Sequence, residues 1–268
     1  MSSIHKPEIA SSILEVLGGL GVPSNMIATS LCLVPDSVSG LLVYGSRARG
    51  DSLVESDLDL LALVDSESRT SNQDGVSISF YTKSQLETGI SSLFGAHLKR
   101  DAKIIYDPAG QLTATITELG DVDPSRVLKR VQQFSIVFGA LDRDLPKYLP
   151  GLLRLARYLL RSALYAKAIS EGNECYSVRE LAQRYQDTSL VELLTSRPSG
   201  SGTLKELYEC IHRLEEIVGP LRANEYQSLE SLIINEWNTQ SELIAMAIMA
   251  LGGAESPLGY VEVQKVLL

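Results

Sequence analysis

The apolar positions change their period several times along this chain. Ile9, Ile13, Leu17 and Leu20 recur every three or four residues after Pro7, which predicts an amphipathic helix ended by Gly18-Gly19-Leu20-Gly21. Residues 25–33 read as a second short helix. Compact apolar runs then predict strands over 40–44, 57–64 and 76–82, a helix over 83–94, and a short strand from Lys103 to Tyr106 before the turn at Asp107-Pro108. Asp123-Pro124 is a helix-start signal. Beyond it the pattern is helical throughout, over about 124–140, 149–171, 177–186, 188–196, 203–218 and 225–251, with Arg197 to Gly202 as a loop. The change of character near residue 120 predicts two domains. Residues 1–120 form an α/β (α+β) domain with a mixed sheet, and residues 121–268 an all-α helical bundle with a short tail. No internal repeat is visible.

Composition narrows the options. With 268 residues and 44% hydrophobic content, two cores are affordable. A formal net charge of −9 removes the bulk basic footprint expected of a duplex-DNA binder. Cys32, Cys175 and Cys210 are odd in number and far apart, which points to a reducing cytoplasm rather than to a disulfide framework or a zinc site. His5, His97 and His212 form no ligand pattern, and no basic-plus-apolar leader is read at the start. The apolar stretch Leu243 to Leu251 is short of the roughly 20 residues a bilayer needs, so a buried helix and no membrane insertion are expected.

The chemistry concentrates between residues 41 and 60. Leu41-Leu42-Val43-Tyr44 runs into Gly45-Ser46 and Arg47-Ala48-Arg49-Gly50-Asp51, and Ser56-Asp57-Leu58-Asp59-Leu60 opens the next strand. Asp57 and Asp59 are two apart, so on a strand they share a face. Two adjacent carboxylates repel each other and resist burial unless a divalent cation lies between them. Oxygen-only ligands suit Mg²⁺, which takes one or two carboxylates together with substrate phosphates. At Gly45 the backbone can approach a phosphate closely, the Ser46 hydroxyl can donate, and a helix starting there adds a favourable field for anions. The cluster Gly18-Gly19-Leu20-Gly21 is no P-loop, because no Gly-Lys-Ser/Thr follows.

An apolar strand, Gly-Ser, ten intervening residues and then Asp57-Leu58-Asp59 resembles the nucleotidyltransferases of the DNA polymerase β superfamily. Arg47-Ala48-Arg49-Gly50 and Ser56-Asp57-Leu58-Asp59-Leu60 look like the minimal prokaryotic members. The helical second half is similar in character to kanamycin-type and other bacterial enzymes. The segment from Ser91 to Arg100 followed by Ile104-Ile105-Tyr106-Asp107 also resembles the bacterial members. The likeness is good over about residues 40–110. It implies Mg²⁺ bound by Asp57 and Asp59, one ion or two, with Mn²⁺ as a substitute. It also implies an NTP or dNTP whose α-phosphorus is attacked by a hydroxyl, with pyrophosphate leaving. Gly45 and Ser46 would hold the phosphates. Arg47 and Arg49 would either assist or pair with Asp51 and Glu55.

One departure from the family pattern matters. A third carboxylate usually stands on the next strand, but Val76 to Thr82 contains no acid. An antiparallel pairing about a turn near residue 70 would place Asp59 near Tyr81, Asp57 near Lys83, and Ser79 or Tyr81 in the third slot. Asp74 would then be roughly 20 Å away. Three readings follow: two aspartates suffice, a Glu of the helical domain acts as base, or catalysis is lost.

Two further features stand outside this segment. Arg154, Arg157 and Arg161 form one stripe on the 149–171 helix, with Tyr158 and Tyr165 on the same side. Arginine and tyrosine there suit a triphosphate or single-strand contact, and the same spacing suits a plain solvated helix face. After Gly252-Gly253 and Pro257, Tyr260 is either a packing aromatic or a hydroxyl acceptor on a mobile tail. The resemblance favours the acceptor, since the pattern is similar to the nucleotidyltransferase of Hailong-type anti-phage systems. That reading implies a single-stranded oligonucleotide product and a membrane or toxin effector encoded nearby. The other classes are a protein-AMPylating antitoxin-type enzyme, an aminoglycoside nucleotidyltransferase and a nucleotide-binding pseudoenzyme.

Overall fold

The computed structural model describes residues 5–66, 70–194, 202–239 and 241–252. The chain divides into two compact units, Met1–Asp121 and Val122–Leu268.

The first unit is built on a five-stranded mixed sheet. Its strands are β1 (Gly40–Tyr44), β2 (Leu58–Leu63), β3 (Ser71–Gln73), β4 (Val76–Tyr81) and β5 (Lys103–Tyr106), in the order β3-β4-β2-β1-β5. β1 pairs antiparallel with β2 and with β5, whereas β2 and β4 run parallel. Alternation sorts the side chains of each strand onto two apolar layers. Leu41, Val43, Leu58, Leu60, Ala62, Val76 and Ile78 pack with α1 (His5–Gly19) and α2 (Ser24–Leu33). Leu42, Tyr44, Leu61, Leu63 and Tyr81 pack on the other side with Leu86, Leu98, Leu112 and Ile116. Those last four belong to α4 (Lys83–Glu87), α5 (Leu93–Asp101) and α6 (Gln111–Thr117). The short α3 (Gly45–Arg49) follows β1 directly.

The antiparallel pairing expected between the second and third strands is not what forms. Asp74 and Gly75 both have positive φ, 50° and 75°, and make the two-residue turn of a β3–β4 hairpin. The chain therefore enters β4 beside the start of β2, and the two strands run the same way. Leu58 is paired with Val76, Asp59 with Ser77, and Leu63 with Tyr81. The helix expected over 83–94 is two helices, α4 and α5. They are separated by Ser91, at φ 61°, whose N–H is tied to the Leu119 carbonyl at 2.8 Å.

The second unit is helical among its described residues. α7 (Pro124–Phe134) carries Asp123 as its N-cap, which accepts from the Ser125 and Arg126 amides. A 3₁₀ turn (Ser135–Phe138) leads to α8 (Leu141–Ser170), which begins earlier than its pattern predicts and includes Pro146 and Pro150. α9 (Val178–Arg184), α10 (Ser189–Leu194), α11 (Leu204–Val218), α12 (Leu229–Glu236) and α13 (Ser241–Leu251) complete the unit, and the helix expected over 225–251 is in fact the last two. Leu243, Ile244, Met246, Ala247, Met249 and Ala250 are buried, so the apolar stretch there is a core helix. No helix among the described residues is long and apolar enough to cross a membrane. All three cysteines are free thiols, two of them buried.

Candidate active site

The turn between β1 and β2 is shaped by backbone conformation. Gly45 has φ 77°, a region costly for residues with a β-carbon. Space forbids a side chain there as well, because an added Cβ would stand 2.6 Å from Asp59 Oδ2. α3 ends at Gly50, whose amide and that of Asp51 both donate to the Ser46 carbonyl at 3.0 and 3.1 Å. From α3 the buried Arg47 reaches forward and donates from Nε and Nη2 to the Ser56 carbonyl, at 3.0 and 2.5 Å. This clamp fixes the residue before Asp57. The Leu58 amide, donating to the Gly75 carbonyl at 2.8 Å, fixes the one after.

Asp57 and Asp59 consequently lie on one face, at the end of β2 that meets Gly45. Asp57 is exposed, and Asp59 is partly buried between Tyr44 and Ser77, its neighbours across the ladders. Burial, and next the charge of Asp57, raise the Asp59 carboxyl from 3.8 to about 6, while Arg49 and Arg47 oppose the shift. Keeping both carboxylates ionised here is costly, and a hard divalent cation would remove that cost. The donor set, two carboxylates facing a backbone turn with no β-carbon in the way, fits such an ion. Among the described residues, however, no group of three or more His, Cys, Asp and Glu side chains is gathered that could hold a metal.

The position beside the aspartates on the next strand is Ser77, not Ser79 or Tyr81. Ser79 is opposite Leu61, and Tyr81 is opposite Leu63, roughly 13 Å further along the strand, with burial pushing its hydroxyl to about 12. Asp74, expected far away, is instead in the hairpin turn at the Asp57 end of the sheet. The neighbouring Gly75 would bring an added Cβ within 3.7 Å of Asp57 Oδ1. Asp74 itself is exposed and accepts from Gln73 Nε2 at 3.2 Å.

Arg49 has partners that the sequence did not reveal. Its Nε is 3.3 Å from Asp51 Oδ1, its Nη1 donates to His97 Nε2 at 3.0 Å, and Nη1 is 3.4 Å from Asp101 Oδ2. The pairing with Asp51 is one of the two alternatives the sequence leaves open. His97 and Asp101 are 48 and 52 residues away, and only α5 brings them to α3.

The arginine stripe of α8 is inside the helical unit. Arg157 donates from Nε to the Leu193 carbonyl at 2.8 Å and pairs with Glu206 at 3.2 Å, and Arg161 donates to the Leu194 carbonyl at 2.9 Å. Arg154 reaches the Met249 and Gly252 carbonyls. All four carbonyls are at the C-terminal ends of α10 and α13, where helices leave acceptors without partners and favour positive charge. The stripe therefore caps two helices, and Tyr165 packs edge-on against Tyr176 with ring centroids 5.9 Å apart. Tyr260 and most of the Arg197–Gly202 loop lie outside the described residues.

A polar cleft of about 450 Å³, lined by Ser39, Asp65, Thr82, Lys83 and Gln111 among others, opens at the C-terminal ends of β2 and β4. That is the end of the sheet opposite Asp57 and Asp59, so the cleft shares no side chain with them.

Residues 25–107 match the family model described as a nucleotidyltransferase domain. The matched span runs from α2 to just past β5 and contains the whole sheet and α3 to α5. Over this span the first unit is similar to nucleotidyltransferase domains. No curated protein matches the chain.

Proposed function

We propose that the chain transfers a nucleoside monophosphate from an NTP or dNTP to a hydroxyl acceptor, releasing pyrophosphate, with Asp57 and Asp59 as ligands of Mg²⁺. The observation that carries this reading is the contact of Asp59 with a side-chain-free turn. A β-carbon at Gly45 would stand 2.6 Å from Asp59 Oδ2, and the match to the nucleotidyltransferase domain spans that contact. Mg²⁺ bound there would supply positive charge to the triphosphate and to the departing pyrophosphate. The protein's own groups do the rest. Gly45 and Ser46 offer a backbone amide and a hydroxyl to phosphate oxygens, and Arg49 adds fixed positive charge that needs no reorganisation during the reaction. Arg47 acts on Asp57 only indirectly, by holding the Ser56 carbonyl. The arginines of α8 take no part in this reading, because their donors hold helix ends.

The acceptor is the finer part of the proposal. Oligonucleotide synthesis in anti-phage defence, started on the Tyr260 hydroxyl, rests on the resemblance of the sequence to Hailong-type enzymes. An intramolecular acceptor would gain from high effective concentration. A second reading, a nucleotide-binding protein with weak or no catalysis, is favoured by Ser77 standing where an acid would complete the ligand set.

The test is to incubate the protein with each labelled NTP and dNTP plus Mg²⁺, follow pyrophosphate release, and resolve products on a denaturing gel. Wild type is expected to release pyrophosphate, and the Asp57→Asn, Asp59→Asn double variant to release none. Equal release by both would end the assignment. Nucleotide binding without release would favour the second reading. Intact mass after incubation should show added nucleotide on wild type and none on Tyr260→Phe. Label on another residue would return Tyr260 to packing.

A further inference from the structure

Beside Asp59 lies a charged group that the proposed reaction uses only through one member. α5 is positioned to bring two side chains to Arg49. Ser92 caps α5 by accepting from the Gly95 amide at 3.0 Å. Gly95 lies so close to the Gly89 carbonyl that an added Cβ would be 2.2 Å from its oxygen. This close approach sets the height of α5, and His97 and Asp101 then face α3 from successive turns.

The charges around Arg49 are unevenly used. Asp101 is held by Arg100 at 2.6 Å and stands 3.4 Å from Arg49, so much of its charge is answered before Arg49 is counted. Asp51 pairs with the Nε edge at 3.3 Å. The remaining partner, at 3.0 Å on Nη1, is His97. An arginine can only donate, so a hydrogen bond from Nη1 requires the lone pair on His97 Nε2 and the ring proton on Nδ1; the same Nε2 also stands 3.4 Å from Asp101 Oδ2. Burial first, and Arg49 next, push the His97 pKa down to about 4, so the ring is neutral near pH 7. Its edge also contacts the Tyr44 ring, with centroids 6.1 Å apart, which limits how it can turn. Among the described residues Arg49 Nη2 makes no hydrogen bond or ion pair, and the side chain is 12% exposed.

We infer that His97 is a positioning residue for phosphate recognition: as a neutral acceptor on Arg49 Nη1, it fixes the guanidinium beside Asp59 without cancelling its charge, leaving the Nη2 edge for a phosphate oxygen of the substrate. A carboxylate at position 97 would hold the arginine equally well and consume its field. An apolar residue would spare the field and lose the orientation. Histidine kept unprotonated by burial meets both needs. The inference rests on the reading of Asp57 and Asp59 as the phosphate-transfer site.

The test measures binding of inorganic tripolyphosphate in the presence of Mg²⁺ by calorimetry, which requires no turnover and no choice of base. The full-length chain is compared with His97→Gln, His97→Leu and His97→Glu, and with Asp57→Asn, Asp59→Asn as reference. Glutamine offers a neutral oxygen acceptor and should stay within about threefold of wild type. Leucine should weaken binding about tenfold, the scale of one lost charge-assisted hydrogen bond. Glutamate should weaken it more, about thirtyfold, because it adds a negative charge beside the arginine. A purely structural role for His97 would rank the three by melting temperature instead, with no penalty specific to the glutamate charge. Wild-type affinity in both the leucine and glutamate variants would overturn the inference and leave the proposed function standing. Wild type binding no better than the double-asparagine reference would overturn both. Should His97→Glu not fold, leucine against glutamine decides the same point.

Discussion

A β-carbon at Gly45 would stand 2.6 Å from Asp59 Oδ2, so the turn after β1 and the carboxylate on β2 are fitted to each other. Gly45 also has φ 77°. Gly45→Ala therefore meets two penalties, a backbone strain of about 1–2 kcal/mol and a displaced carboxylate. The expected result is a drop in pyrophosphate release of at least about a hundredfold, since small misplacements at a reacting centre have effects of that size. Circular dichroism should show a folded protein that melts earlier. Activity near wild type would mean that Asp59 is not held where the chemistry occurs.

The raised pKa of Asp59 gives a stability prediction with a definite sign. The folded-state value is about 6, against 3.8 for the free side chain. Between these values the folded carboxyl is protonated while the unfolded one is ionised, so the group favours folding more at low pH. Its contribution declines as pH rises through that window, and the full penalty is present above about pH 6. At about 1.4 kcal/mol per unit, Asp59→Asn should stabilise metal-free protein at pH 7.5 by up to about 3 kcal/mol. The advantage should fade below about pH 4, as denaturant melts of the two proteins at both pH values would show. Added Mg²⁺ should raise the melting temperature of wild type and not of the variant.

Ser77 lies directly across the ladder from Asp59. Ser77→Asp would put a third carboxylate beside the first two. Without metal this should lower stability by about 1 kcal/mol or more through like-charge repulsion. With metal the sign should reverse, and the Mn²⁺ affinity read by electron paramagnetic resonance should rise. Unchanged affinity would show that Ser77 does not face the bound ion.

Arg157 ties α8 to the Leu193 carbonyl and to Glu206. Arg157→Met leaves the Leu193 carbonyl without this donor and Glu206 without this cation, at an expected cost of about 2–4 kcal/mol in urea unfolding. Tripolyphosphate affinity of the folded variant should be unchanged. A large loss of affinity with normal stability would return the stripe to the substrate.

Much of the candidate site's geometry could be read from residues 41–60, because the causes there are local. A two-residue spacing on a strand puts Asp57 and Asp59 on one face whatever the partner strand does, and glycine before serine marks a backbone turn wherever it packs. The strands over 40–44, 57–64 and 76–82 were legible for the same reason. The direction of β4 did not follow from strand periodicity, which is identical for parallel and antiparallel neighbours. It was set by Asp74-Gly75, a hairpin dipeptide that was present in the sequence but outweighed by an assumed turn near residue 70. That one turn decided whether Tyr81 or Ser77 stands beside the carboxylates. The partners of Arg49 and of the α8 arginines were settled only by the tertiary structure. A guanidinium can serve a phosphate, a carboxylate, a histidine or the end of a helix with the same donors. Which of these it meets depends on elements 33 to 98 residues away, brought together by the burial of apolar faces that contain none of the arginines.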